Sequence, residues 1–244
     1  MDFLKLRMEL HSHTDFDPQD WIAHSAEDLI EECARQKIDV LAITCHRAQQ
    51  WSEKLVEFAH SRDVLLIPAV EASIEGKDVL IYGLERYEHP VTFETLRNLR
   101  RDNPNVLTIA PHPFYPARTC LHELLSVYED CFDAIEYCHF YTRLINFNNK
   151  ALAAARALRK PIVGTSDIHF LKQVGKTTST VTVTERSFAA ISTAIKAGRM
   201  ELHTTPLTTR EFASQIFQMK WLEGKSRLAR MGLLRRQTTV LERL

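Results

Sequence analysis

The side chains best suited to chemistry in this sequence are histidines and carboxylates that follow short apolar runs. Residues 4–10 lead into His11-Ser12-His13, with Asp15 and Asp17 close behind, and residues 40–44 lead into Cys45-His46. The run 64–70 ends at Glu71, Asp78 stands just before the run 79–84, and 106–110 is followed by Pro111-His112-Pro113. Residues 134–137 include Glu136 and run on to His139, while 162–165 lead into Ser166-Asp167-Ile168-His169. In an extended chain, residues two apart point to the same side, so His11 and His13 can aim at one point, as can Asp167 and His169. Imidazole nitrogen together with carboxylate oxygen suits Zn, Mn or Fe better than Ca, which takes oxygen alone. More such groups recur than one four-coordinate ion needs, which points to a cluster of two or three divalent ions. A single histidine at a strand end usually just faces water; the recurrence at strand after strand is what carries the metal reading. The other histidines (His24, His60, His89, His122 and His203) fall in expected helices or loops and are read as structural or solvated.

This placement requires the apolar runs to be strands, and the stretches between them read as helices. Helical patterning covers 26–36, 49–61, 92–101, 121–129, 148–158 and 187–197, and a further β-rich run covers 179–184. Ser25 and Asp28 have the spacing of an N-terminal capping box, and Pro161 breaks the chain between a helix and the next strand. Strand–helix alternation at about 30 residues per unit predicts a parallel α/β barrel of seven or eight strands, with catalytic groups where strands end. Neither a G-x-G-x-x-G nor a Walker A motif occurs, which weakens an open nucleotide-binding sheet.

Lys+Arg and Asp+Glu both total 31, so overall charge identifies neither a nucleic-acid binder nor a strongly acidic protein. Five cysteines without C-x-x-C spacing argue against a disulfide framework or a zinc ribbon and suit a reducing cytoplasm. No signal-peptide core and no run of membrane-spanning length is read, so a cytoplasmic location is expected. Residues 1–205 form the expected barrel domain and 206–244 a basic, amphipathic helical extension. From Thr208 onward eight basic residues face three acidic ones; Thr208 with Glu211 forms a capping box, and Phe212, Ile216, Met219, Trp221 and Leu222 mark an apolar face. That extension is expected to pack on the barrel or against a second copy in a homo-oligomer, ahead of a role as a basic arm for nucleic acid or membrane.

Taken together, the segments resemble the polymerase and histidinol phosphatase (PHP) superfamily. The resemblance is carried by Glu9-Leu10-His11-Ser12-His13-Thr14, Ala42-Ile43-Thr44-Cys45-His46, Ile67-Pro68-Ala69-Val70-Glu71, Ala110-Pro111-His112-Pro113 and Gly164-Thr165-Ser166-Asp167-Ile168-His169, in the family's order. It implies a distorted (β/α)7 barrel with a binuclear or trinuclear metal centre. By that resemblance His11, His13, Glu71 and Asp167 hold one ion, and Glu71 bridges to a second completed by His112 and Asp78. Asp17, His46 and His169 hold a third. Three positions depart from the pattern: Cys45 stands where an Asp is usual, Asp78 where a His is usual, and Asp17 lies one residue closer to His13. Cys45 is expected behind His46, where a missing carboxylate loosens support without removing a ligand. An oxygen ligand at Asp78 tilts preference from Zn toward Mn, Fe or Mg.

The implied activity is hydrolysis of a phosphate ester: a small phosphomonoester, a nucleotide or a short oligonucleotide. Three divalent ions would outweigh the four carboxylates of Asp17, Glu71, Asp78 and Asp167, leaving a positive cup that attracts phosphate. A hydroxide bridging two ions is the expected nucleophile. Asp17 and His139 are the residues expected to act in catalysis, and Arg47, Arg118 and Arg143 are candidates to grip phosphate. Two other classes compete: a degenerate barrel with a binding or regulatory role, and a metal-dependent hydrolase of nonphosphate bonds.

Overall fold

A computed structural model describes residues 3–87, 89–231, 233 and 234 of the chain. Among these the strands are β1 (Leu4–Glu9), β2 (Val40–Ile43), β3 (Leu65–Ile74), β4 (Lys77–Tyr82), β5 (Leu107–Ala110), β6 (Ala134–Cys138), β7 (Ile162–Thr165), β8 (Thr177–Val183) and β9 (Met200–Thr204). The helices are α1 (Ala26–Arg35), α2 (Glu53–His60), α3 (Phe93–Asp102), α4 (Leu124–Val127), α5 (Asn148–Leu158), α6 (Phe188–Lys196) and α7 (Thr209–Arg230). The strands form one sheet in the order β7-β6-β5-β4-β3-β2-β1-β8-β9, curled into a nearly closed barrel. None of the described helices is long and apolar enough to cross a membrane.

The barrel is distorted because two of its strands run backwards. β1, β2 and β3 are parallel, as are β5, β6 and β7, but β4 is antiparallel to both β3 and β5, and β8 is antiparallel to both β1 and β9. The cause at β4 is local. Only Glu75 and Gly76 link it to β3, at φ of 51° and 75°, and a two-residue turn with both φ positive folds the chain straight back on itself. Asp78 therefore lies within β4, opposite Ser73, rather than in a loop before it. The expected distorted α/β barrel is present; within it the seven or eight parallel strands are corrected to nine strands of mixed direction among the described residues. β9 escaped the sequence reading because it is a rim strand with Glu201, Leu202 and His203 exposed, so it has no apolar alternation.

Side chains close the seam between the two ends of the sheet. Ser179 Oγ accepts from the Gly164 amide at 2.8 Å, while Ser166 Oγ donates to the Thr177 carbonyl at 3.0 Å. A Cβ at Gly164 would run into the Leu202 side chain, so a glycine is what lets β7 approach β8 and β9. β2 and β5 are buried on both faces: Val40, Ala42, Leu107 and Ile109 point into the barrel with Met8, Leu80 and Val163, and helices cover the outside. Burying such side chains contributes roughly 1.5–3 kcal/mol each.

Local signals account for most helix boundaries. Ser25 and Asp28 form the expected capping box on α1, and Thr208 and Glu211 form the one on α7. Ser52 caps α2, so that helix starts later than residue 49, and only Leu124–Val127 of the stretch 121–129 is α-helical. The reading of α7 as amphipathic is corrected. Phe217 is 73% and Trp221 61% exposed, and the buried residues on this helix include Gln215 and Ser226. The helix lies over the polar mouth of the barrel rather than over its apolar core, so the side it turns inward mixes polar Gln215 and Ser226 with Met219 and Leu222. Residues 235–244 of the expected extension lie outside the described residues.

The segment after β1 is anchored by a histidine that the sequence reading assigned no chemistry. His24 Nε2 donates to the His13 carbonyl at 2.8 Å, and burial pushes its imidazole down to about 4 from 6.5. Between those values the unfolded chain binds the extra proton, so stability rises with pH through this window and is lost as pH falls. The contribution is up to about 3 kcal/mol. In His24→Gln, unfolding free energy should vary less steeply than wild type between about pH 4 and 6.5, measured by denaturant titration at each pH. An unchanged slope would contradict this assignment.

Candidate metal centre

Backbone pairing continues past the formal strand ends and locks the functional segments edge to edge. Ser12 bridges to Ile168 and His46 to Glu71 in parallel fashion, and the Thr44 amide donates to the Ser12 carbonyl at 2.8 Å. The His13 amide donates to the Ile168 carbonyl at 2.9 Å. His11-Ser12-His13, Thr44–His46, Glu71 and Asp167–His169 thus occupy one rim. His112 and Asp167 hold left-handed φ values of 28° and 47°, conformations that cost a non-glycine residue about 1 kcal/mol or more. The rim geometry is therefore imposed by its surroundings.

Five imidazoles converge here; in four the Nδ1 side faces the protein, while His169 Nδ1 lies 3.4 Å from Asp167 Oδ1 as well. His11 Nδ1 meets Glu136 Oε1 at 2.7 Å, and His13 Nδ1 and His46 Nδ1 meet the same Asp17 oxygen at 2.8 and 2.9 Å. His112 Nδ1 lies 3.4 Å from the Cys120 sulfur, and His169 Nδ1 lies 3.1 Å from the Asp167 carbonyl. An Nδ1–H given to an acceptor leaves the Nε2 lone pair for a metal. Glu136 also accepts from the His112 amide at 2.6 Å, so it braces two histidines from behind.

The Nε2 atoms face two carboxylates. His11 Nε2 and His13 Nε2 lie 3.3 and 3.4 Å from Glu71 Oε2, and each lies 3.4 Å from Asp167 Oδ1. Ligands at about 2.0–2.1 Å from a tetrahedral ion sit roughly 3.3–3.4 Å from one another. The four His–carboxylate separations have that spacing. His46 Nε2 is 3.2 Å from Glu71 Oε2, and His112 Nε2 is 3.5 Å from Glu71 Oε1, so Glu71 faces more than one position. Asp78 shares a set of close donor atoms with Glu71 and His112. His13 Nε2 and Glu71 Oε1 are buried without a hydrogen-bond partner in the chain, which fits groups whose partner is a cation.

Electrostatics agree with this fit. Burial acts to raise the carboxyls of Glu71 and Asp167, yet His46 and His11 facing the first, and His11 and His169 facing the second, hold both well below the usual range. Burial acts to lower His46 and His169; the carboxylates outweigh it and push them up to about 10 and about 9. Asp78 is pushed up to about 6 by burial and by the charge of Glu71.

The remaining expected residues fall in different places. Asp17 lies beside His13 and His46 but on their Nδ1 side, and its other oxygen accepts from the Gln19 and Asp20 amides at 2.8 Å. Asp20, which the sequence reading passed over, puts Oδ2 3.0 Å from His169 Nε2. Its only sequence signal is being one more acid in the loop after His13. His139 is buried and pushed down by desolvation; its Nε2 contacts Gln173 at 3.1 Å and Gln215 of α7 at 3.2 Å. Cys45 is buried behind His46 against Thr14. Arg47, Arg118 and Arg143 are exposed on the loops that follow β2, β5 and β6.

Comparison with known proteins places this architecture. A family model described as PHP-associated matches residues 146–200, the stretch carrying α5, β7, Asp167 and His169. A search of curated proteins gives no match. The chain is similar in structure to a two-domain protein from Bacteroides vulgatus containing a predicted PHP-like metal-dependent phosphoesterase, at 18% identity over 89% of this chain and 70% of that one, TM-score 0.65. It is also similar to PsfC from Pseudomonas syringae (18% identity, 94% and 99% coverage, TM-score 0.63). A third similar structure is the lesion-specific endonuclease PfuEndoQ from Pyrococcus furiosus (14% identity, 87% and 66% coverage, TM-score 0.57).

Loading the metal-free protein with divalent ions at pH 7 should release protons, because His46 and His169 are protonated there and must give up Nε2–H to bind. Calorimetry in two buffers of different ionisation enthalpy should show net proton release, to which His11 and His112, also held well above the ordinary imidazole range, contribute. Release of none would contradict the arrangement.

Proposed function

From a PHP-like barrel with histidines and carboxylates gathered at one mouth, we propose that this chain is a metal-dependent phosphoesterase acting on a small phosphomonoester or nucleotide. The observation that carries the reading is the ligand-like distance of His11 Nε2 and His13 Nε2 from both Glu71 Oε2 and Asp167 Oδ1. In this reading these four residues hold one ion, and Glu71, Asp78 and His112 hold a second. His46, His169 and Asp20 hold a third, with Asp17 aligning His13 and His46 rather than ligating. Bound divalent ions would supply positive charge against the phosphate oxygens and draw the pKa of a water toward neutrality.

The chain's own residues perform the rest. Glu136, Asp17 and the Asp167 carbonyl set the ring orientations, which keeps Nε2 unprotonated once cations are present. Arg47, Arg118 and Arg143 stand on neighbouring loops of the rim, where a guanidinium can pair with two phosphate oxygens. His139, buried and neutral between Gln173 and Gln215, positions α7 over the mouth rather than transferring a proton. α7 limits entry to small substrates and keeps bulk water from the phosphate. The endonuclease Q neighbour acts on DNA lesions; a helix lying over the mouth favours a smaller ester here.

A panel of phosphate monoesters offered to the protein loaded with Mn, Zn or Fe(II) tests the proposal. His11→Ala and Asp167→Ala should each lower kcat/KM by more than about a hundredfold while leaving the circular dichroism spectrum unchanged. Retained turnover in both variants would remove the assigned cluster.

A further inference from the structure

Between α7 and the rim lies a cavity of about 350 Å³ that reaches Asp20 and His169. That volume falls in the range of small-molecule pockets and suits one nucleoside or sugar. We propose that it is the subsite for the group esterified to the phosphate, and that it takes a neutral, hydroxyl-bearing moiety with one apolar face. The proposal rests on the phosphoesterase reading and names its substrate class.

Helical spacing places the α7 contribution on one face: Met219, Leu222, Glu223 and Ser226 lie three, four and seven residues apart and all line the cavity. Met219 and Leu222 give it an apolar wall, and methionine adapts to flat or irregular surfaces. Gln19, on the opposite side, and Glu223 offer an amide and a carboxylate, groups that pair with hydroxyls. Ser226 is the independent sign of a ligand. It is 1% exposed, it lines the cavity, and its Oγ has no hydrogen-bond partner among the described residues. A buried hydroxyl in that state is unfavourable until something in the cavity pairs with it.

Charge separates this moiety from a second phosphate. Among the described residues no lysine or arginine lines the cavity, while Asp20 and Glu223 both do, Asp20 facing His169 at 3.0 Å and Glu223 paired with Lys220 at 2.9 Å. Lys225 instead sits over the rings of Trp21 and Trp221, at 5.5 and 5.6 Å. A further anionic group would meet two carboxylates, whereas ribose or sugar hydroxyls would find acceptors. The end that touches Asp20 and His169 sets the phosphate toward the centre, so the leaving oxygen faces the ligands as the organic group lies under α7.

The test compares adenosine monophosphate and glucose 6-phosphate with methyl phosphate, which has no group to fill the cavity. In the full chain loaded with ions, kcat/KM for the better of the first two should exceed that for methyl phosphate. Ser226→Leu, which fills the cavity, should reduce that ratio about tenfold, and Ser226→Ala should reduce it less. The preferred ester tells nucleoside from sugar. A wild-type ratio of one, or a ratio unmoved by Ser226→Leu, overturns the subsite. If no ester is hydrolysed, the phosphoesterase reading fails by itself, and calorimetric binding of adenosine and glucose then decides the subsite. Binding weakened about tenfold in Ser226→Leu supports it; binding of neither, or binding that the substitution leaves alone, overturns it.

Discussion

Glu71 is 2% exposed, yet imidazole nitrogens of His11, His13 and His46 approach one of its oxygens and that of His112 approaches the other. A carboxylate removed from water is costly unless opposite charge surrounds it. Every other feature of the mouth follows from meeting that condition. Five strands end where they do so that their histidines and acids can share one small volume, and β4 turns back so that Asp78 reaches the same end. Glu136 and Asp17 face the rings from outside, fixing which nitrogen points inward. Without a cation the histidines neutralise the acids by staying protonated; in the proposed reading a bound cation would take the same atoms as ligands.

The ligand-bearing strand ends were legible because each polar group directly follows a β-rich apolar run, and such runs keep their meaning whatever the neighbouring strands do. Direction was not legible at that level. An apolar run at 79–84 reads the same whether it runs up or down, and the sign that reverses it is the short Glu75-Gly76 link. Asp20 was missed for a related reason. It sits in a loop with no periodicity, and only the folding of that loop brings its carboxylate to His169. Asp17, two residues after Asp15, does reach the cluster, and there one of its oxygens meets Nδ1 of both His13 and His46.

The C-terminal helix shows where pattern reading misleads. An apolar face was read from Phe212, Ile216, Met219, Trp221 and Leu222 on the assumption that a helix buries its apolar side, and of these Met219 and Leu222 reach the cavity beneath it. Here the surface beneath is a mouth lined by His139, His169 and Asp20, so Gln215 and Ser226 turn inward and Trp221 outward. Phe212 alone stacks well, at 4.5 Å on Phe140. The barrel is shared with structures at 14–18% identity, a likeness of fold that by itself names no substrate.

The central claim is that the mouth of the barrel holds a cluster of cations. Elemental analysis of untagged protein purified without chelators tests it most directly. Two or three divalent ions per chain are expected, given the donor sets around Glu71, Asp167 and His169. Fewer than one per chain, persisting after incubation with Mn, Zn and Fe(II), would contradict the account and leave the barrel as a binding module.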